Sequence, residues 1–165
     1  MISVTKTTTA LSAFAQDVQK GLSSSPKYLL SKYFYDAEGD RLFQKIMELP
    51  EYYLTRCEEE ILQTYSANLA DFLGNQPFDL IELGAGDGLK TRVLLEHFQQ
   101  RKLQYRYFPV DISRNILMHL QETLHQEWPT LPVFPLEGEY FTALKKLPAN
   151  DPPIRKVVLF LGSTI

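Results

Sequence analysis

A single cysteine, Cys57, stands in a chain of 165 residues, and that scarcity closes two routes. No internal disulfide can staple the fold, and no multi-cysteine zinc site can form. Histidine is also rare: His97, His119 and His125 are the three, and nothing groups them into a metal site. Basic charge is not in excess. Lys and Arg number 17 against 20 Asp and Glu, a net charge of −3, which removes the electrostatic case for nucleic acid or an anionic membrane as partner. Long apolar runs are missing too. The densest, Val157 to Leu161, has the length of a strand and not of a membrane span. The first residues carry Lys6 without the apolar core of a signal peptide, so a cytoplasmic compartment is the expectation. What remains is 44% hydrophobic residues, in a length that suits one domain with a real core and is short for two.

The chain is organised around residues 78–90, Phe-Asp-Leu-Ile-Glu-Leu-Gly-Ala-Gly-Asp-Gly-Leu-Lys. A short apolar run, Leu80, Ile81 and Leu83, is broken only by Glu82 and reads as a buried strand. Gly84, Gly86 and Gly88 follow at alternate positions. A helical stretch then runs from about Lys90 to Gln100, with Val93, Leu94, His97 and Phe98 on one face. Strand, glycine turn, helix brings a ligand close to bare backbone at the carboxyl end of a parallel strand. A dinucleotide fingerprint, Gly-x-Gly-x-x-Gly, would need glycine where Leu89 stands, which disfavours an NAD-dependent oxidoreductase. The actual spacing, Glu82-x-Gly84-x-Gly86-x-Gly88, resembles the first motif of class I S-adenosylmethionine (SAM) methyltransferases. An acidic residue suits a cofactor that carries a sulfonium and an ammonium and no phosphate.

A second marker is Asp111, which ends the aromatic and branched run Tyr105-Arg-Tyr-Phe-Pro-Val. A carboxylate at the end of the next β unit can accept both ribose hydroxyls of a nucleoside. It can also simply cap the following helix, as Ser113 can.

Elsewhere the chain reads in order. Residues 1 to about 9 are Thr-rich and expected to be disordered. Leu11, Phe14 and Val18 mark a helix that Gly21 can end. Residues 27–39 crowd aromatics and Lys without clean periodicity, suiting either an irregular packed connection or a pocket wall. Asp40 can cap a short helix bearing Leu42, Phe43, Ile46 and Leu49, stopped by Pro50. Thr55-x-x-Glu58 is a capping box, opening a helix on which Ile61, Tyr65, Leu69 and Phe72 share a face and Gly74 follows. Arg56, Glu58, Glu59 and Glu60 are expected in its solvated first turn. Ile116, Leu117, Leu120 and Leu124 mark another helix, ended at Trp128-Pro129. Leu131 to Leu136 reads as an edge strand, since it holds Pro132 and Pro135. Phe141, Leu144 and Leu147 make a short helix. Lys156 to Leu161 is a strand, apolar from Val157 on and expected to be central.

This βαβαβαβ alternation predicts an α/β fold with a doubly wound parallel sheet, about four strands in the order 3-2-1-4. It divides the chain into a disordered stretch 1–10, a helical segment 11–76 and a Rossmann-like domain 77–165. A central strand wants a neighbour on each side, and none follows the fourth. The expectation is an incomplete domain lacking a C-terminal half.

Several segments together resemble one family: Lys32-Tyr-Phe-Tyr-Asp36, Leu49-Pro-Glu-Tyr-Tyr53, Glu82-Leu-Gly-Ala-Gly86 with Lys90-Thr-Arg92, Pro109-Val-Asp-Ile-Ser113 and Phe160-Leu-Gly-Ser-Thr-Ile165. They look like the SAM-dependent histidine-specific methyltransferases, typified by the enzyme that methylates the histidine α-amine to hercynine in ergothioneine biosynthesis. The resemblance implies that Gly84, Gly86 and Lys90 contact SAM, with Glu82 at the strand end, and that Asp111 holds its ribose. Gly138 and Glu139 match a Gly-Asp pair near the adenine, with Glu a departure from the pattern. Tyr35 and Tyr52 match tyrosines of the histidine pocket. The family pattern continues past Ile165 to an asparagine on the substrate's amino-acid end. The resemblance names no general base and no metal. Beside it stands a second expectation, a non-catalytic or partner-dependent fragment.

Overall fold

The computed structural model describes residues 12–149 and 152–161; the expectations for residues 1–11 and for the Gly162–Ile165 segment lie outside them. Contacts divide the chain into two units, residues 1–35 and 36–165.

In the first unit, helix α1 (Ala13–Ser23) is capped by Ser12, whose hydroxyl accepts from the Ala15 N–H. Gly21 does not end α1; it is buried inside it. The Tyr28 carbonyl oxygen would lie 2.2 Å from a Cβ there, so glycine is needed for the close return of the chain. The following 3-10 turn, Ser31–Phe34, packs back through Tyr33. Its hydroxyl donates to Asp17 (2.6 Å), and Lys32 pairs with the same carboxylate (2.9 Å). Tyr33 and Lys32 together hold Asp17 below the usual carboxylate range.

The second unit opens with α2 (Ala37–Met47). Asp36, not Asp40, is its cap, accepting from the Gly39 N–H at 2.8 Å. Helix α3 (Leu54–Leu73) starts one residue ahead of Thr55 with no side-chain cap bond, so the expected capping box does not form. The chain turns at Gly74 with φ of 65°, a left-handed value glycine adopts readily. The face of α3 is also not the expected one. Ser66, Ala70 and Leu73 point inward, while Ile61, Tyr65 and Phe72 are 56%, 61% and 81% exposed. Ser66 and Ala70 are small enough for a close approach to α4, Leu62 and Leu69 pack partly against the core, and Ile61, Tyr65 and Phe72 are left outside.

Then come β1 (Phe78–Leu83), α4 (Leu89–Gln100), β2 (Tyr105–Asp111), α5 (Arg114–Glu127), β3 (Leu136–Glu137), α6 (Tyr140–Leu144) and β4 (Arg155–Leu159). The sheet order is β3-β2-β1-β4, with every pairing parallel, as the alternation predicts. Strand residues alternate between two cores. Leu80, Tyr105 and Tyr107 join Leu94, Phe98, Leu120 and Leu124 on one face. Ile81, Phe108 and Val110 meet Ala143 of α6 on the other. Asp79, buried on β1, takes a two-pronged ion pair from Arg106 directly across on β2 (2.7 and 2.9 Å).

Two strands depart from expectation. β3 is two residues long, preceded by one bridge between Tyr107 and Val133. Tyr107 donates to the Pro132 carbonyl and accepts from Phe134, but the register sets Pro135 opposite Pro109, which has no N–H to donate, and the ladder breaks there before resuming at Leu136. β4 has β1 as its one neighbour among the described residues. Its apolar Val158 and the adjoining Phe160 are 53% and 48% exposed, so it is an edge there and not a central strand. In the short helix that Phe141 and Leu144 mark, Phe141 points outward and Ala143 is the buried residue.

Candidate functional site

Because the strands are parallel, the carboxyl ends of β1, β2 and β3 lie along one edge, where a doubly wound sheet binds ligands. The glycine loop leaves β1 there. Gly84, Gly86 and Gly88 have φ of 72°, 56° and 71°, all in the left-handed region that disfavours a side chain. The Gly84 and Ala85 N–H groups both donate to the Val110 carbonyl (2.9 and 3.1 Å), tying the loop to the end of β2. The other two glycines do different work. A Cβ on Gly86 would meet nothing within 4 Å, whereas one on Gly88 would come within 2.4 Å of Leu120 Cδ1. Gly86 leaves a bare surface for a ligand, and Gly88 lets α4 and α5 pack. Gly88→Ala is therefore expected to cost about 2–4 kcal/mol, combining left-handed backbone strain with repacking of buried Leu120. Gly86→Ala should cost about 1–2 kcal/mol, from the backbone alone. Urea unfolding of both variants checks the difference.

Asp111 closes the other side. Its Oδ2 accepts from the Gly86 N–H (3.0 Å) and its Oδ1 from the Ser113 N–H (2.9 Å). One carboxylate thus bridges the glycine loop and the start of α5. Burial raises its pKa; the two N–H groups act in the opposite direction, and the charge of Asp40 adds to the rise. Ser113 is the side-chain cap of α5, while Asp111 faces the loop. Gly138 follows β3, and its N–H donates to the Asp111 carbonyl (2.9 Å), which places it on the same edge. Glu139 stands exposed at the start of α6, with no side-chain cap bond.

Glu82 sits behind the loop and not in the open. It is 3% exposed, with Thr91 donating to one carboxylate oxygen and Tyr107 to the other. Burial pushes its pKa up to about 7, with the two hydroxyls and Lys90 pulling it down. Glu82 therefore pins α4 and β2 to the strand from which the loop departs. Lys90 pairs with Glu58 of α3, so Glu58 is no free first-turn acid. No sequence motif marks Thr91, Tyr107 or Glu58 as a partner of Glu82 or Lys90, or Asp40 as a partner of Ser113; the register of β1 on β2 and the packing of the helices bring them together.

The two candidate tyrosines belong to different units. Tyr35 ends the first and is exposed. Tyr52 lies between α2 and α3, half-buried, with its ring edge-on to Phe43 at 6.2 Å. Among the described residues no group of three or more His, Cys, Asp or Glu could hold a metal ion. None of their helices is long and apolar enough to cross a membrane.

The family described as "Histidine-specific methyltransferase, SAM-dependent" matches residues 14–165. The chain belongs to this family. The histidine N-alpha-methyltransferase of Mycolicibacterium smegmatis is 39% identical over 156 residues, covering 94% of this chain and 47% of that protein. Its namesake in Mycobacterium tuberculosis is 37% identical over 153 residues, covering 93% and 46%. The chain spans about half the length of these curated relatives. Among solved structures, a Methanococcus maripaludis protein assigned as a SAM-dependent methyltransferase aligns with a TM-score of 0.50 and 15% identity, over 78% of this chain and 51% of that one; this likeness supports the fold alone.

The residues present fit the cofactor of a SAM-dependent methyltransferase. Gly86 leaves the surface open. The side-chain charge beside the glycine loop is carboxylate, from Asp111, Asp40 and Asp87, with Lys90 paired to Glu58; Lys146 lies on the Gly138 side, bonded to the Glu137 carbonyl. A dinucleotide fits poorly. Asp87 Oδ1 accepts from the Leu89 N–H (3.1 Å) at the start of α4, where a pyrophosphate would seek free N–H groups and no negative charge.

Proposed function

We propose that the protein containing these residues transfers a methyl group from SAM to the α-amine of histidine. The observation that carries this reading is Asp111 bonded to Gly86 at the carboxyl edge of the sheet, within a chain of the histidine-specific family. Bound SAM supplies an electrophilic methyl on a sulfonium. The residues of this chain hold and orient. Asp111 has lone-pair capacity left beyond its backbone partners and accepts ribose hydroxyls. The bare backbone at Gly84 and Gly86 admits the methionine portion, Lys90 flanks it, and Gly138 with Glu139 lines the adenine side. Glu82 acts from behind, fixing the loop.

The acceptor amine has an ordinary pKa near 8 and must be neutral to attack. Its lone pair forms the N–C bond as the C–S bond breaks, and the surplus proton passes to solvent. Tyr52 orients the amine through its hydroxyl. Alignment of this kind is worth about 7–11 kcal/mol in well-oriented systems, so no strong base is required.

Transfer of a radiolabelled methyl group from SAM to free histidine tests the reading. A chain extended to the relatives' length should bind SAM and label the α-nitrogen. Absence of SAM binding by that chain overturns the proposal. The half-exposed Val158 and Phe160 favour a second reading, in which the 165 residues bind cofactor without turning over. Calorimetric binding without label transfer by the shorter chain would mark it.

A further inference from the structure

Helix α2 has no fully buried residue, and its Leu42, Phe43 and Ile46 are 48%, 40% and 42% exposed. An eleven-residue helix has little stability of its own in water, so its attachments matter. Two of them are polar and lie one turn apart on one face. Asp40 accepts from the Ser113 hydroxyl at 2.5 Å. The Gln44 amide lies 3.5 Å from Asp87 Oδ2, a longer contact. Both partners serve the loops that flank the cofactor cleft. Ser113 caps α5 and gives its N–H to Asp111. Asp87 stands in the glycine loop and accepts from the first N–H of α4. A single helix face thus touches the turns after β1 and after β2, and Asp111 also bridges those turns.

We infer that Asp40, with Gln44 one turn on, is a positioning residue that clamps the two cofactor loops together, so that docking of α2 and binding of SAM reinforce each other. The inference rests on the SAM-binding reading above. It follows from linkage: a group that orders the loops before binding lowers the cost of ordering them on binding, and bound cofactor holds the helix by the same amount. Asp40 need not touch the cofactor to do this.

Hydrogen exchange of the full chain, with and without SAM, tests the clamp alongside calorimetry. Asp40→Ala should speed exchange at α2 and at residues 84–89 and 111–113 without ligand, and weaken SAM binding about tenfold, the scale of one hydrogen bond to a charged group. Asp40→Asn keeps an oxygen acceptor for Ser113 and should fall between Asp40→Ala and the parent. Gln44→Ala should change both readouts less. Faster exchange confined to α2, with loop exchange and affinity unchanged, overturns the clamp. If the parent extended to the relatives' length binds no SAM, the functional reading fails, and the ligand-free exchange of the loops in Asp40→Ala still decides the clamp.

Discussion

Replacing Asp111 by alanine should weaken SAM binding by about a hundredfold or more. The carboxylate does two jobs: it holds the Gly86 and Ser113 N–H groups and, on the proposed reading, it accepts the ribose. Hydrogen bonds to a charged group are worth about 1.5–3 kcal/mol each, and two of them account for at least that factor. The variant also frees the glycine loop from the start of α5. Asp111→Asn keeps one acceptor oxygen and replaces the other with a donor that faces an N–H, so it should recover only a small part of the affinity. Calorimetry with SAM on the three proteins, at a pH where the parent binds well, is the measurement. Binding unaltered in Asp111→Ala would remove the ribose role.

The second large effect is on stability and comes from Glu82. Its pKa rises from 4.5 to about 7 in the fold, chiefly through burial. The folded protein therefore holds this proton more tightly than the unfolded chain does. Stability from this group is full below about pH 4.5, falls as pH climbs toward 7, and levels off above. A shift of this size corresponds to something on the order of 3 kcal/mol. Glu82→Gln cannot ionise. The stability of the parent relative to Glu82→Gln should therefore decline across that window, read from urea midpoints at several pH values. Tyr107→Phe sharpens the test. The Tyr107 hydroxyl supports the ionised carboxylate, so its loss should cost more at pH 8 than at pH 5. A parent-to-Gln difference that does not change with pH would show that Glu82 ionises in the fold as easily as in water.

These effects differ in how far the sequence alone foretold them. Gly84, Gly86, Gly88 and Asp111 were legible because each marks a local turn at the end of a strand. Strand order was legible because short crossovers admit few arrangements. The partners of Glu82 were not: Tyr107 lies 25 positions away, and only the pairing of Glu82 opposite Pro109 puts it within reach. Helix α3 misled for a related reason. Its most conspicuous periodic residues, Ile61, Tyr65 and Phe72, are large and apolar, yet the inward face went to Ser66 and Ala70, which allow a closer approach to α4. Asp40 looked like a helix cap because its type favours caps. Asp36, four positions earlier, took that place, and Asp40 turned to Ser113.

Local chemistry along the chain determined the elements, the glycine turn, the acidic strand end and the family, since glycine spacing and helix-cap chemistry act over a few residues. Tertiary structure decided which side chains answer one another: Glu82 with Thr91 and Tyr107, Lys90 with Glu58, and Asp40 with Ser113. Such pairs depend on strand register and on the distance between packed helices, and both are set by how the whole core fills space.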